Sequence, residues 1–128
     1  MLHHVHSDEI PAPLSAHSDA VVIPAGARIL VSSGMLGMRK DGTIPNTIEG
    51  QVVAAFDNVE AVLRAAGMDM GDLVKMTTYI IDGSYRDAFR VERAKRVGGE
   101  PPASTRVVIT ALSMPEMKIE IEVIAAKL

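Results

Sequence analysis

The chain has 128 residues, of which 48% are hydrophobic and 23% charged, so it affords one domain (1–128) with a sizeable core and argues against disorder. Sixteen acids stand against thirteen bases for a net charge of -3, and aromatics make up only 3%, which excludes both a nucleic-acid footprint and a base-stacking platform. There is no cysteine, which removes disulfides, thiolate catalysis and Cys-ligated metals. The first residues do not form a signal peptide and no apolar run reaches membrane-spanning length, so the expectation is a cytoplasmic protein with no membrane partner.

After a short polar lead, Ala20 to Ile23 is strand-like and Pro24-Ala25-Gly26 supplies a turn. Ala27 to Ser33 reads as a second strand, so the two are expected to form a hairpin. Gly34 to Pro45 holds three glycines and an Asp41-Gly42 turn signal, and reads as a loop. The first helix is capped by Asn46 or Thr47. Val52, Phe56, Val59, Leu63 and Ala66 recur at three- and four-residue spacing along it, and Gly67 stops it.

Leu73 to Ile81 is a third strand ended by Asp82-Gly83-Ser84. Ser84 is the expected cap of a second helix running to about Val97, before Gly98 to Pro102 breaks it. Ser104 to Leu112 and Lys118 to Ala125 complete the strands; in the last, Ile119, Ile121 and Val123 alternate with Glu120 and Glu122. This order predicts an α+β fold, one mixed β-sheet with two helices packed on one face. The other sheet face is left apolar and bare, which predicts homo-oligomerisation.

Several stretches in register resemble the Rid/YjgF family of imine and enamine deaminases. They are Ser32 to Gly34, Asn58-Val59 with Ala61 to Gly67, Gly71 to Asp82, Pro101 to Thr105 and Lys118 to Ala125. The resemblance covers roughly residues 11–128. It implies a chorismate-mutase-like fold assembled as a homotrimer, with clefts between subunits. It also implies hydrolysis of reactive 2-imino acids to 2-keto acids and ammonia, with no metal or organic cofactor. Some similar proteins are 2-aminomuconate-type deaminases, whose substrates are dicarboxylates. RNA cleavage has been attached to the family by name, but the acidic balance argues against a nucleic-acid partner.

Carried over residue by residue, the resemblance makes Glu120 the pocket glutamate that orients a water, and Ser33 with Gly34 a pocket wall at the end of a strand. Met35 stands where deaminating members commonly have Gln. His17 falls where many members have a pocket Tyr, and Arg90 where they have an Asn reaching the pocket. The arginine that follows Pro-Ala in deaminating members, and grips the substrate carboxylate, is replaced here by Ser104. Arg106 lies two residues on, about 6.5 Å along the same strand face, and is the candidate substitute. Its alternative reading is a cross-strand ion pair with Glu120 or Glu122.

The bottom-up readings are plainer. Glu122 reads as a residue of a solvated sheet face, and Ser32-Ser33-Gly34 as a strand end with a turn. Arg86, Arg90, Arg93 and Arg96 fall at helical spacing and read as a solvated basic face, except that Arg90 is a candidate to line the cleft. His3, His4 and His6 cluster at an expectedly mobile terminus and lack a fourth ligand, so no metal site is assigned. Met35, Met38, Met68, Met70 and Met76 read as packing. The expected partner is an anionic small molecule. The rival to an enzyme is a trimeric module that binds a metabolite without converting it.

Overall fold

The computed structural model describes residues 1–128. Nine regular elements follow in order: β1 (His3–Val5), β2 (Ala20–Val22), β3 (Arg28–Val31), β4 (Met35–Leu36), α1 (Ile48–Ala65), β5 (Leu73–Ile80), α2 (Arg86–Arg96), β6 (Ala103–Val108) and β7 (Ile119–Lys127). The main sheet has the order β3-β7-β5-β6, with β4 also paired to β7. β5 and β6 are parallel, whereas β7 runs antiparallel to β3, β4 and β5. A parallel pair needs a long crossover, which α2 supplies.

α1 forms where its pattern demands. Thr47 Oγ1 accepts from Gly50 N at 3.1 Å, closing the first turn, and Gly67 with φ +72° takes the chain out of the helix. Its apolar stripe is buried at Val52, Phe56, Val59 and Leu63. These side chains pack on Met76 and Ile80 of β5 and on Ile119, Ile121 and Val123 of β7. Phe56 and Phe89 stack with centroids 5.7 Å apart, joining α1 to α2 on the same sheet face. Each fully buried side chain of this size contributes about 1.5–3 kcal/mol. Met68 and Met76 lie inside this core and Met35 and Met70 pack on its edge, as the packing reading expected.

Arg96, 16% exposed, lies with its side chain between the helices, 2.7 Å from Glu92, 2.8 Å from Asp57 and 2.9 Å from Glu60. Gln51, fully buried, donates from Nε2 to the carbonyls of Pro45 and Glu116 and accepts from Lys118 N. It thereby fixes the approach to β7, where both glutamates stand.

Several expectations are corrected. The hairpin does not form. β2 pairs with β1, inside the stretch taken as a lead, and β3 pairs with β7. The turn at Pro24–Gly26 redirects the chain, and Leu30 gains core contact by joining the last strand instead. There is consequently a second, two-stranded sheet beside the mixed one. The glycine-rich loop contains β4, and the strand expected to reach Leu112 ends at Val108. Asp82, not Ser84, caps the turn that leads into α2, through a 2.8 Å bond from Ser84 N. The histidine terminus is a strand: His4 Nδ1 lies 3.0 Å from both Ser18 Oγ and the Pro101 carbonyl, and His6 pairs with Glu100 at 3.3 Å.

Strand parity now assigns faces. Met76, Thr78 and Ile80 are buried under the helices, so their partners Ser104, Arg106 and Val108 share that face. Thr77 and Tyr79 lie on the open face with Glu122 and Glu120. Ile29, Val31 and Val107 also belong to the open face, at 58, 74 and 38% exposure. No helix is long and apolar enough to cross a membrane.

Candidate functional site

On the open face, two glutamates have different surroundings. Tyr79 donates its hydroxyl proton to Glu122 Oε1 at 2.5 Å. That bond, with burial and the nearby carboxylates, pushes the Tyr79 pKa above its usual 10.0. Glu122 is therefore engaged, which corrects its reading as a merely solvated residue. Glu120, paired in register with Tyr79 and Leu36, is half-buried, and its carboxylate has no hydrogen bond within the chain. It occupies the space that Gly34 leaves: a Cβ there would sit 2.5 Å from Glu120 Cδ and overlap Oε2. Ser32 holds this corner, accepting from Val123 N at 2.9 Å and donating to the Ser33 carbonyl at 2.8 Å. Ser33 is exposed beside it. Ser33, Gly34 and Glu120 thus form one patch, with a carboxylate free to hold a water.

On the helix-covered face, at the edge formed by β6, lies a second patch. Arg106 and Ser104 project from the strand towards α2, which carries Arg86, Arg90 and Arg93. Burial lowers the pKa of Arg106, and the positive charges of Arg86 and Arg90 lower it further. Arg106 makes no ion pair; the cross-strand pair with Glu120 or Glu122 is excluded because those carboxylates lie on the opposite face. Arg90 is exposed. His17 lies on the segment that runs beside the start of β6, where Ser18 N donates to the Pro102 carbonyl at 3.1 Å, and its Nδ1 is 3.4 Å from Ser15 Oγ.

Two sequence readings of α2 change. Arg96 belongs to a carboxylate network, and Arg93 is only 8% exposed, with its guanidinium 5.5 Å from the Phe89 ring centre. Arg93 was the residue sequence reasoning missed. The signal was available in its position four after Phe89, on the core-facing stripe of the helix. No group of three or more His, Asp or Glu side chains is gathered as a metal site.

Residues 8–127 match the family model described as Endoribonuclease L-PSP. The chain belongs to this family, which is also called YjgF/Rid. Protein DfrA of Myxococcus xanthus is 32% identical over 127 residues, covering 94% of this chain and 92% of the relative. The 2-iminobutanoate/2-iminopropanoate deaminase of Escherichia coli is 28% identical over 131 aligned positions, covering 96% of each. The solved Rid-family protein YyfB of Yersinia pestis, described as of unknown function, superposes with a TM-score of 0.88 at 25% identity over 98% of both chains. The α+β architecture is that of the Rid fold.

Proposed function

We propose that this Rid protein hydrolyses small reactive imines or enamines of carboxylic acids to the carbonyl compound and ammonia. The reaction takes place in a cleft shared between subunits of a homotrimer. One observation carries the reading: the only carboxylate left unengaged beside Gly34, Glu120, faces away from the arginine cluster of its own chain. That opposition supports a site in which the two halves meet between copies. One subunit supplies Glu120, Ser33 and Gly34; its neighbour supplies Arg106, Ser104, Arg90 and His17. The exposed apolar residues on the open face support such an assembly, since burying them is favourable.

The chemistry follows from the groups. Glu120 accepts a proton from water as its oxygen bonds to the C=N carbon, and the nitrogen takes up a proton to give a carbinolamine. The nitrogen then takes a further proton, the carbon–nitrogen bond breaks with its electron pair going to the departing ammonia, and the hydroxyl gives up its proton to become the carbonyl. An enamine first takes a proton on carbon and gives up one from nitrogen to become the imine. Arg106 holds an acidic group of the substrate so that the carbon sits over the water. A relative named as an iminobutanoate deaminase supports this class of reaction.

A binding module without turnover is the second reading, favoured by Ser104 in place of the arginine that the family resemblance leads one to expect. Ammonia release from freshly generated 2-imino acids and from 2-aminomuconate-like enamines separates the two. Turnover falling about 100-fold or more in both Glu120→Ala and Arg106→Ala supports the deaminase. No release from any of these substrates by folded protein moves the assignment to the binding module.

A further inference from the structure

A guanidinium is rarely buried unless paired, because removing it from water costs several kcal/mol in order of magnitude. Arg93 is 8% exposed, yet its side chain makes no hydrogen bond and no ion pair within the chain. Its nearest charges repel it: burial lowers its pKa, and the cations Arg106 and Arg90 lower it further. The carboxylates of α2 offer no relief. Glu92 is committed to Arg96 and Lys95, and Asp87 lies 3.7 Å from Arg86.

Arg93 also lines a cavity of about 130 Å³ with Ala16, Met76, Val97, Pro102 and Ser104. Its walls are otherwise apolar or backbone, apart from Ser104, whose hydroxyl has no bond within the chain. That volume is about four waters' worth, enough for a carboxylate and a short carbon chain. Arg106 stands two residues beyond Ser104 on the same strand face.

We propose that Arg93 and Ser104 form a carboxylate-binding subsite and that Arg106, farther along β6, binds a second anionic group, so that the pocket selects small acids carrying two negative charges. The planar fork of Arg93 suits a carboxylate, and stacking on Phe89 fixes its plane. A single carboxylate would leave one of the two unpaired, partly buried cations uncompensated, whereas a dianion neutralises both. This deepens the deaminase reading and rests on its placing the cleft here. Arg93 anchors substrate and takes no proton.

Calorimetric titration of wild-type protein with succinate and with butyrate tests the assignment without turnover. Succinate is expected to bind at least about tenfold more tightly than butyrate. Arg93→Met should weaken both ligands by about tenfold or more, while Arg106→Met should weaken succinate more than butyrate and so narrow the preference between them. Arg93→Lys keeps the charge without the fork and serves if the methionine variant does not fold; it should bind both acids more weakly than wild type.

Equal affinity for the two acids, or binding unchanged in the folded Arg93 variants, overturns the proposal. So does an Arg93 variant that changes the assembly state but not binding, because its partner is then a carboxylate of a neighbouring subunit. Succinate binding without ammonia release from any substrate sinks the deaminase and leaves the subsite. Ammonia release indifferent to Arg93 does the reverse.

Discussion

Gly34→Ala isolates the role of Glu120 without altering a charged group. Gly34 has no positive φ, so the backbone accepts alanine without strain. The new Cβ would stand 2.5 Å from Glu120 Cδ and 2.8 Å from Cγ, against a comfortable carbon–carbon separation of about 3.5–4.0 Å. The carboxylate must therefore swing away by about 1 Å, a displacement able to cost ~100-fold in rate when the group positions a reactant. Stability should change little. A shifted rotamer costs about 0.5–1.5 kcal/mol, and the stiffer unfolded chain returns about 0.4–1 kcal/mol. The assay is kcat/KM for ammonia release, read beside a thermal melt, in Gly34→Ala, Glu120→Gln and the double variant. The expected pattern is a loss of about 100-fold in the first, with the double variant no worse than Glu120→Gln alone. A Gly34→Ala protein within about threefold of wild-type rate would refute the claim that Glu120 acts from its place beside Gly34.

Arg96→Ala should lower stability by about 3 kcal/mol, or ~10 °C in Tm, because three carboxylates on two helices lose their common cation. A drop under about 2 °C would show that the network does not hold α1 to α2. The fully buried Thr78 Oγ1 has no partner, so Thr78→Val should be neutral or stabilising by about 1 kcal/mol in urea unfolding, and a clear loss would reveal a partner for the hydroxyl. Asp82 has its carboxyl held below 3.8 by the bond from Ser84 N. Its cap thus contributes above that pH and is lost as the pH falls through the lower folded midpoint. An NMR titration should find that midpoint below 3.8, and Asp82→Asn should remove this acid dependence of the turn before α2.

What could be read from the chain follows the range of the interactions. α1 was legible because the spacing of Val52, Phe56, Val59 and Leu63 is local and Thr47 and Gly67 bracket it. β7 was legible because Ile119, Ile121 and Val123 alternate with two glutamates. The partner of β3 was not, since Leu30 meets Ala125 across most of the sequence and a nearby turn suggested the closer strand. β1 escaped notice because His3-His4-Val5 carries no alternation of its own.

The candidate site divides the same way. Parity within β6 put Ser104 and Arg106 on one face, and parity within β7 did the same for Glu120 and Glu122. Which of these faces the helices cover depends on the register of both strands against β5, and no spacing within either strand states that. The engagement of Glu122 by Tyr79 is hidden for the same reason. Arg93 escaped because its charge outweighed its position when the arginines were read as a solvated stripe; only its burial against Phe89 and the cavity distinguishes it.

The most direct test of a cleft shared between subunits is complementation. Glu120→Gln and Arg106→Ala proteins, each inactive alone, are dissociated, mixed in equal amounts and reassembled, and ammonia release is measured. In a closed symmetric ring, random mixing leaves about a quarter of the clefts with both residues intact, so about a quarter of wild-type turnover should return. Recovery of no activity from mixed, correctly assembled oligomers would contradict a site built from Glu120 of one subunit and Arg106 of the next.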